Sequence, residues 1–119
     1  MIWLRGSTVE VEFADAKLHA ACSSERQMTR KWGKSVAAAL KKSLASLDAA
    51  ETLAILETAP GRCHHLSGDR RGQFAIHLSK VMRLVFVPSN DPLPKLPDGG
   101  LDRHGVTRVR VLEVTDYHE

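Results

Sequence analysis

Gln73-Phe74-Ala75-Ile76-His77-Leu78-Ser79-Lys80-Val81-Met82-Arg83-Leu84-Val85-Phe86-Val87 is the stretch on which the fold turns. Phe74, Ile76 and Leu78 alternate with Gln73, Ala75 and His77; Met82, Leu84 and Phe86 then alternate with Arg83, Val85 and Val87. An alternation of period two is the mark of a strand with one buried face, so the stretch reads as a hairpin. Residues directly opposite in a hairpin share a face, and the two apolar sets meet only if the positions of each pair sum to an even number. A three-residue loop of Ser79, Lys80 and Val81 meets that condition. It sets Leu78 beside Met82, Ile76 beside Leu84 and Phe74 beside Phe86, and it leaves His77 next to Arg83 on the other face.

Upstream, Val9-Glu10-Val11-Glu12-Phe13 alternates in the same way and predicts a short strand at or near a sheet edge. After Asp15 the pattern turns helical. Ser24-Glu25-Arg26-Gln27 has the spacing of a capping box, and Gly33 ends or kinks that helix. Val36, Leu40, Leu44 and Leu47 form the apolar stripe of a second helix, with Lys34, Lys41 and Lys42 mostly off it. A short helical piece over Leu53–Leu56 stops before the breaker Pro60-Gly61. Downstream, the segment from Pro88 to Gly105 holds four of the five prolines and Gly99-Gly100. It reads as a surface excursion, either mobile or a contact element, without a strand ladder or a long helix. A last strand runs from about Thr107 to Thr115. Strand, helices and then three strands predict a single α+β domain over residues 1–119, with helices on one face of a small, mainly antiparallel sheet. The other face is left for function.

The 119 residues are 43% hydrophobic and carry a net charge of +3, enough apolar material for one modest core and a poor match to a disordered chain. The charge is uneven. Arg62, Arg70, Arg71, Lys80 and Arg83 face only Asp69 between Gly61 and Arg83, whereas 12 basic and 13 acidic residues share the rest. A local basic excess suits a polyanion, and it also describes an ordinary solvated face. No apolar run is long enough to span a bilayer and no secretory core is present, so a cytoplasmic protein is expected, with Cys22 and Cys63 as reduced core residues.

Three clusters bear chemistry: Arg62-Cys63-His64-His65 with Gly68-Asp69-Arg70-Arg71-Gly72, the pair His77 and Arg83, and Asp116-Tyr117-His118. Cleavage of RNA by its own 2′-hydroxyl needs a base, cations beside the phosphate and an acid for the leaving oxygen, and these clusters hold all three. Each also has a plainer reading. Gly68–Gly72 is a turn entering the hairpin, His77 beside Arg83 is an ordinary sheet pair, and a terminal Tyr-His is a frayed end. His64-His65 lacks further ligands at metal spacing, so neither a metal nor a cofactor is expected.

These residues resemble the RelE/HigB toxin superfamily, more closely its HigB-like plasmid maintenance system killer branch. The similar stretches are Ser24–Met28 with Arg30-Lys31-Trp32-Gly33, Leu47–Ala50, Arg62-Cys63-His64, Gly68–Phe74, Met82–Phe86 and Leu112–His118. The resemblance implies a RelE-like fold whose concave sheet face binds messenger RNA in the ribosomal A site. It further implies a 2′-hydroxyl attack leaving a cyclic phosphate and a 5′-hydroxyl. The implied partner is a helix-turn-helix, HigA-like antitoxin, through which alone the chain meets operator DNA. Carried over, Arg70 and Arg83 hold the phosphate, and Asp116, Tyr117 and His118 supply acid/base chemistry and stacking. Arg62, His64, His65, Arg71, His77 and Lys80 are expected to bind RNA. Many relatives place a lysine just before Gly-Asp-Arg, and this chain has Ser67. Serine brings neither charge nor basicity, which leaves a non-catalytic module that binds ribosome, RNA or antitoxin as the alternative.

Overall fold

The computed structural model describes residues 9–58 and 63–116. Five strands form one sheet: β1 (Glu10–Phe13), β2 (His64–His65), β3 (Phe74–His77), β4 (Met82–Pro88) and β5 (Arg108–Asp116). Their spatial order is β1-β5-β4-β3-β2. The pairs β2/β3, β3/β4 and β4/β5 are antiparallel, and β1 lies parallel to β5 on the outer edge. Acidic β1 is matched by basic β5: Arg108 reaches Glu10 at 2.9 Å and Arg110 reaches Glu12 at 3.2 Å. Such exposed cross-strand pairs specify register more than they add stability.

Four helices precede β2: α1 (Ala16–Cys22), α2 (Glu25–Trp32), α3 (Lys34–Ala49) and α4 (Leu53–Thr58). Each of the first two starts where an oxygen side chain accepts from an otherwise orphaned amide. Leu18 N donates to Asp15 Oδ1 at 2.8 Å, and Gln27 N donates to Ser24 Oγ at 3.1 Å. Gly33 has φ of +88°, a conformation that costs glycine little, and it lets α3 start one residue after α2 stops. The apolar stripe of α3 is rotated slightly from the expected one. Leu40 and Leu47 are buried as anticipated, but Ala37 and Ser43 are buried with them, while Val36 and Leu44 lie partly exposed at the margin.

The hairpin register follows the parity argument: Phe74 pairs with Phe86, Ile76 with Leu84 and His77 with Arg83. Leu78 N donates to Met82 O at 2.9 Å across the turn, and Ser79 Oγ accepts from Val81 N and Met82 N. Phe74, Ile76, Leu84 and Phe86 pack with Leu40, Leu47 and Leu53 in the main core, on the helix side. One expectation needs correction: His64–His65 forms a short edge strand. The excursion after Pro88, expected without a strand ladder or a long helix, is ordered by local contacts. Pro88 itself closes β4, where its missing N–H costs at most a last rung. Asn90 Oδ1 accepts from Thr107 N and Arg108 N, each at 3.0 Å, and Asn90 Nδ2 donates to Thr107 Oγ1. Lys95 bridges to Leu101, Asp102 N donates to Pro94 O, and a helical turn spans Arg103–Gly105. Among the described residues no helix is long and apolar enough to cross a membrane.

Both cysteines are free thiols. Burial pushes Cys22 up to about 11; burial, aided by the Glu57 carboxylate, pushes Cys63 up to about 12, each from an ordinary 9.0. Thiolate is the reactive form, so iodoacetamide at pH 8 is expected to label folded Cys22 about 100-fold more slowly than the urea-unfolded chain. Because both folded values lie above 9.0, their contribution to stability is whole below pH 9. It is lost as pH climbs through 11 and 12, which denaturant titrations across that range would register.

Candidate functional site

The pleat sorts side chains by register, and the face away from the helices collects a polar set. Glu113 pairs with Val85, Val85 with Ala75, and Ala75 with His64, so these four form one row across β5, β4, β3 and β2. Thr115, Arg83 and His77 form the next row. Beneath them Leu66, Ala75 and Val85 are buried with Leu112 packed alongside, giving the open face an apolar floor. A bulge produces that arrangement. Val85 pairs with Glu113 but Phe86 with Val111, so Leu112 is the extra residue in β5 and Leu112 and Glu113 both serve this face.

Arg70 enters from a helical turn over Gly68–Arg70. Gly68 and Gly72 have φ of +65° and +92°, which lets the chain reverse tightly on both sides of the arginine. Arg70 Nη2 lies 2.5 Å from Glu113 Oε2, and Nη1 donates to Gln73 Oε1 at 2.7 Å. The guanidinium is half-buried, so this fork fixes its plane over the sheet. At the opposite end of the row, His64 and His77 stack with ring centroids 5.2 Å apart.

Arg70, Arg83, His64 and His77 are therefore brought to one face. Four other expected residues are not. His65 points to the helix side, stacked on Phe74 at 4.8 Å, with Nε2 accepting from Gly72 N. Arg71 is exposed in the β2–β3 turn and Lys80 in the β3–β4 turn, at opposite ends of β3. Asp116 pairs with Met82, one step out of phase with Arg83, which directs it to the other face. Arg62, Tyr117 and His118 lie outside the described residues. Glu113 and Gln73 are the residues that sequence reading missed. Extending the alternation by one strand, from Arg83 to Thr115 and back to Glu113, was the available signal.

Helices thus lie on one side of a five-stranded mixed sheet, and cations, histidines and a carboxylate gather on the other. Among solved structures the chain is similar to a YoeB/ParE toxin from Agrobacterium tumefaciens, with a TM-score of 0.58 at 9% identity over 92% of this chain and 100% of that one. It is likewise similar to the YoeB–YefM complex from Staphylococcus aureus (TM-score 0.55, 12% identity) and the YoeB dimer from the same organism (0.53, 13%), each over 95% of this chain and 100% of the other. The likeness is one of fold. No family model and no curated protein matches the sequence.

Proposed function

We propose that the chain is the toxin of a type II toxin–antitoxin pair and cleaves messenger RNA in the ribosomal A site. The observation that carries this reading is the convergence of Arg70, Arg83, His64, His77 and Glu113 on the sheet face opposite the helices. In the proposed reaction the RNA 2′-oxygen forms a bond to phosphorus as its proton passes to a base, a role we assign to the Glu113 carboxylate. The bond from phosphorus to the 5′-oxygen breaks, and His118 supplies the proton that makes the 5′-hydroxyl. Arg70 and Arg83 stabilise the charge that grows on the phosphate, the term that usually contributes most to such catalysis. The stacked histidines and Tyr117 offer ring faces to unstacked bases. The toxin would act in the cytoplasm, where its ribosomes are, and be silenced by an antitoxin. The YoeB–YefM complex among the fold's neighbours supports such a partner, and a HigA-like helix-turn-helix protein is the form that the sequence resemblance favours.

Mapping mRNA ends in a translating extract tests the proposal. Wild-type protein should produce ribosome-dependent cuts at A-site codons, and His118→Ala should not. Intact mRNA with the protein bound to ribosomes would sink the nuclease reading. Ser67 favours that second outcome, since it is exposed at the head of the Arg70 turn, where a lysine would add a cation. Under the nuclease reading, Ser67→Lys raises cleavage; in a binding module it changes nothing.

A further inference from the structure

The excursion after β4 leaves a cleft that the proposed chemistry does not use. About 620 Å³ in volume, it opens between residues 88–105 and the β2–β3 turn. Its walls include Val87, Pro88, Leu93, Leu101 and Arg103, the last paired with Glu57, and its rim carries Arg71 and Lys95. No carboxylate lines it among the described residues, and neither rim cation makes an ion pair there. Leu93 is 38% exposed and Leu96, nearby on the same excursion, 44% exposed, both high for large aliphatic side chains. The walls are held in place before any ligand arrives, by the Asn90 clamp, the Lys95–Leu101 bridge, and a bond from Leu96 N to Gly100 O at 2.7 Å. Preorganisation of this kind lowers the cost of binding.

We infer that this cleft docks an acidic peptide segment of a partner protein, with an aliphatic side chain in the apolar floor and carboxylates on Arg71 and Lys95. The charge of the rim selects an anion, and the floor selects among anions. His65, stacked on Phe74, and Arg103, which lies over the same ring and pairs with Glu57, each have one contact already made, and Val87, Pro88, Leu93 and Leu101 make the rest of the wall aliphatic, which suits an aliphatic anchor better than a run of stacked bases. Aliphatic walls that include the exposed Leu93 match an aliphatic anchor, and unpaired cations at a rim give specificity and faster encounter. The inference concerns binding alone and stands apart from whether the open sheet face cuts RNA.

The test uses the whole protein and a library of short random peptides displayed on phage, selected on wild type and counter-selected on Lys95→Glu/Leu93→Ser. Both replaced side chains are exposed and outside the core, and circular dichroism checks that the variant is folded. Enriched peptides should carry Asp or Glu flanking Leu, Ile or Val. A synthetic copy should lose about tenfold in affinity by fluorescence anisotropy on either Lys95→Glu or Leu93→Ser. It should lose about as much when its carboxylates become amides or its aliphatic anchor becomes alanine. Failure to enrich beyond the counter-selected protein, or enriched peptides without carboxylates, would overturn the inference. So would a single-stranded RNA oligonucleotide that binds with Lys95→Glu sensitivity where no peptide does, because the occupant would then be nucleic acid.

Discussion

Replacing Arg83 with alanine is expected to slow the proposed ribosome-dependent mRNA cleavage by about 10²- to 10³-fold, the usual loss when a preorganised donor to a developing charge is removed. Stability should change by about 1 kcal/mol, the usual cost of a point substitution, because Arg83 is half-buried yet outside the main core. The difference follows from the pleat. Arg83 belongs to β4, whose neighbours Leu84 and Phe86 point into the helix-side core, and the register holds Arg83 between His77 and Thr115 on the open face. Arg83→Lys keeps the charge without the planar fork and should recover only part of the rate. Single-turnover cleavage on programmed ribosomes, paired with urea denaturation, separates the two effects. Loss of folded protein in step with loss of cleavage would contradict this placement, and undiminished cleavage would remove Arg83 from the proposed site.

The largest effect on stability is expected at Phe74. Its ring is wholly buried, stacks with Phe86 at 5.8 Å and His65 at 4.8 Å, and lies beneath the Arg103 guanidinium at 5.5 Å. Phe74→Ala should cost about 3–5 kcal/mol, because the cavity left behind adds to the lost transfer energy. Against a typical domain stability of about 5–15 kcal/mol, that brings the variant close to unfolding at body temperature. Arg103 also pairs with Glu57 at 3.1 Å, so the same ring ties the excursion to α4 and to the sheet. Denaturant titration of Phe74→Ala and Phe74→Leu measures this. Equal midpoints for the two would mean that the ring's volume is not what stabilises the structure.

The hairpin could be read to the residue because parity is a local rule: once the apolar sets are known, the pleat fixes which residues face each other. The same holds for the caps at Asp15 and Ser24, where a side chain acts on an amide three residues away. What escaped the sequence depends on distant partners. His64–His65 is a strand only because β3 offers a free edge to it, and β1 pairs with β5 rather than with a strand nearer in the chain. The carboxylate of Glu113 meets Arg70 across 43 residues, through a bulge that breaks simple alternation. Asp116 was expected at the site, but successive strand residues point to opposite faces, and its register opposite Met82 turns it away from the face that carries Arg83. The excursion was read from its prolines and glycines as either mobile or a contact element, and what orders it is one asparagine side chain satisfying two amides where the following strand begins.

The parallel pairing of β1 with β5 bears on how such a protein is made. Glu10 and Arg108 are 98 residues apart, and β1 lies at the edge with β5 its strand neighbour. During synthesis the early strand therefore waits, with its alternating valines and glutamates, until nearly all of the remaining chain has emerged. Closing so long a loop is slow relative to forming local helices and hairpins. Glu113 and Thr115 belong to that same late strand, so the open face is incomplete until the sheet is closed. If the open face is the proposed ribonuclease site, a nascent chain still tethered to its ribosome carries it unfinished, and assembly of the sheet, rather than appearance of any one residue, completes it.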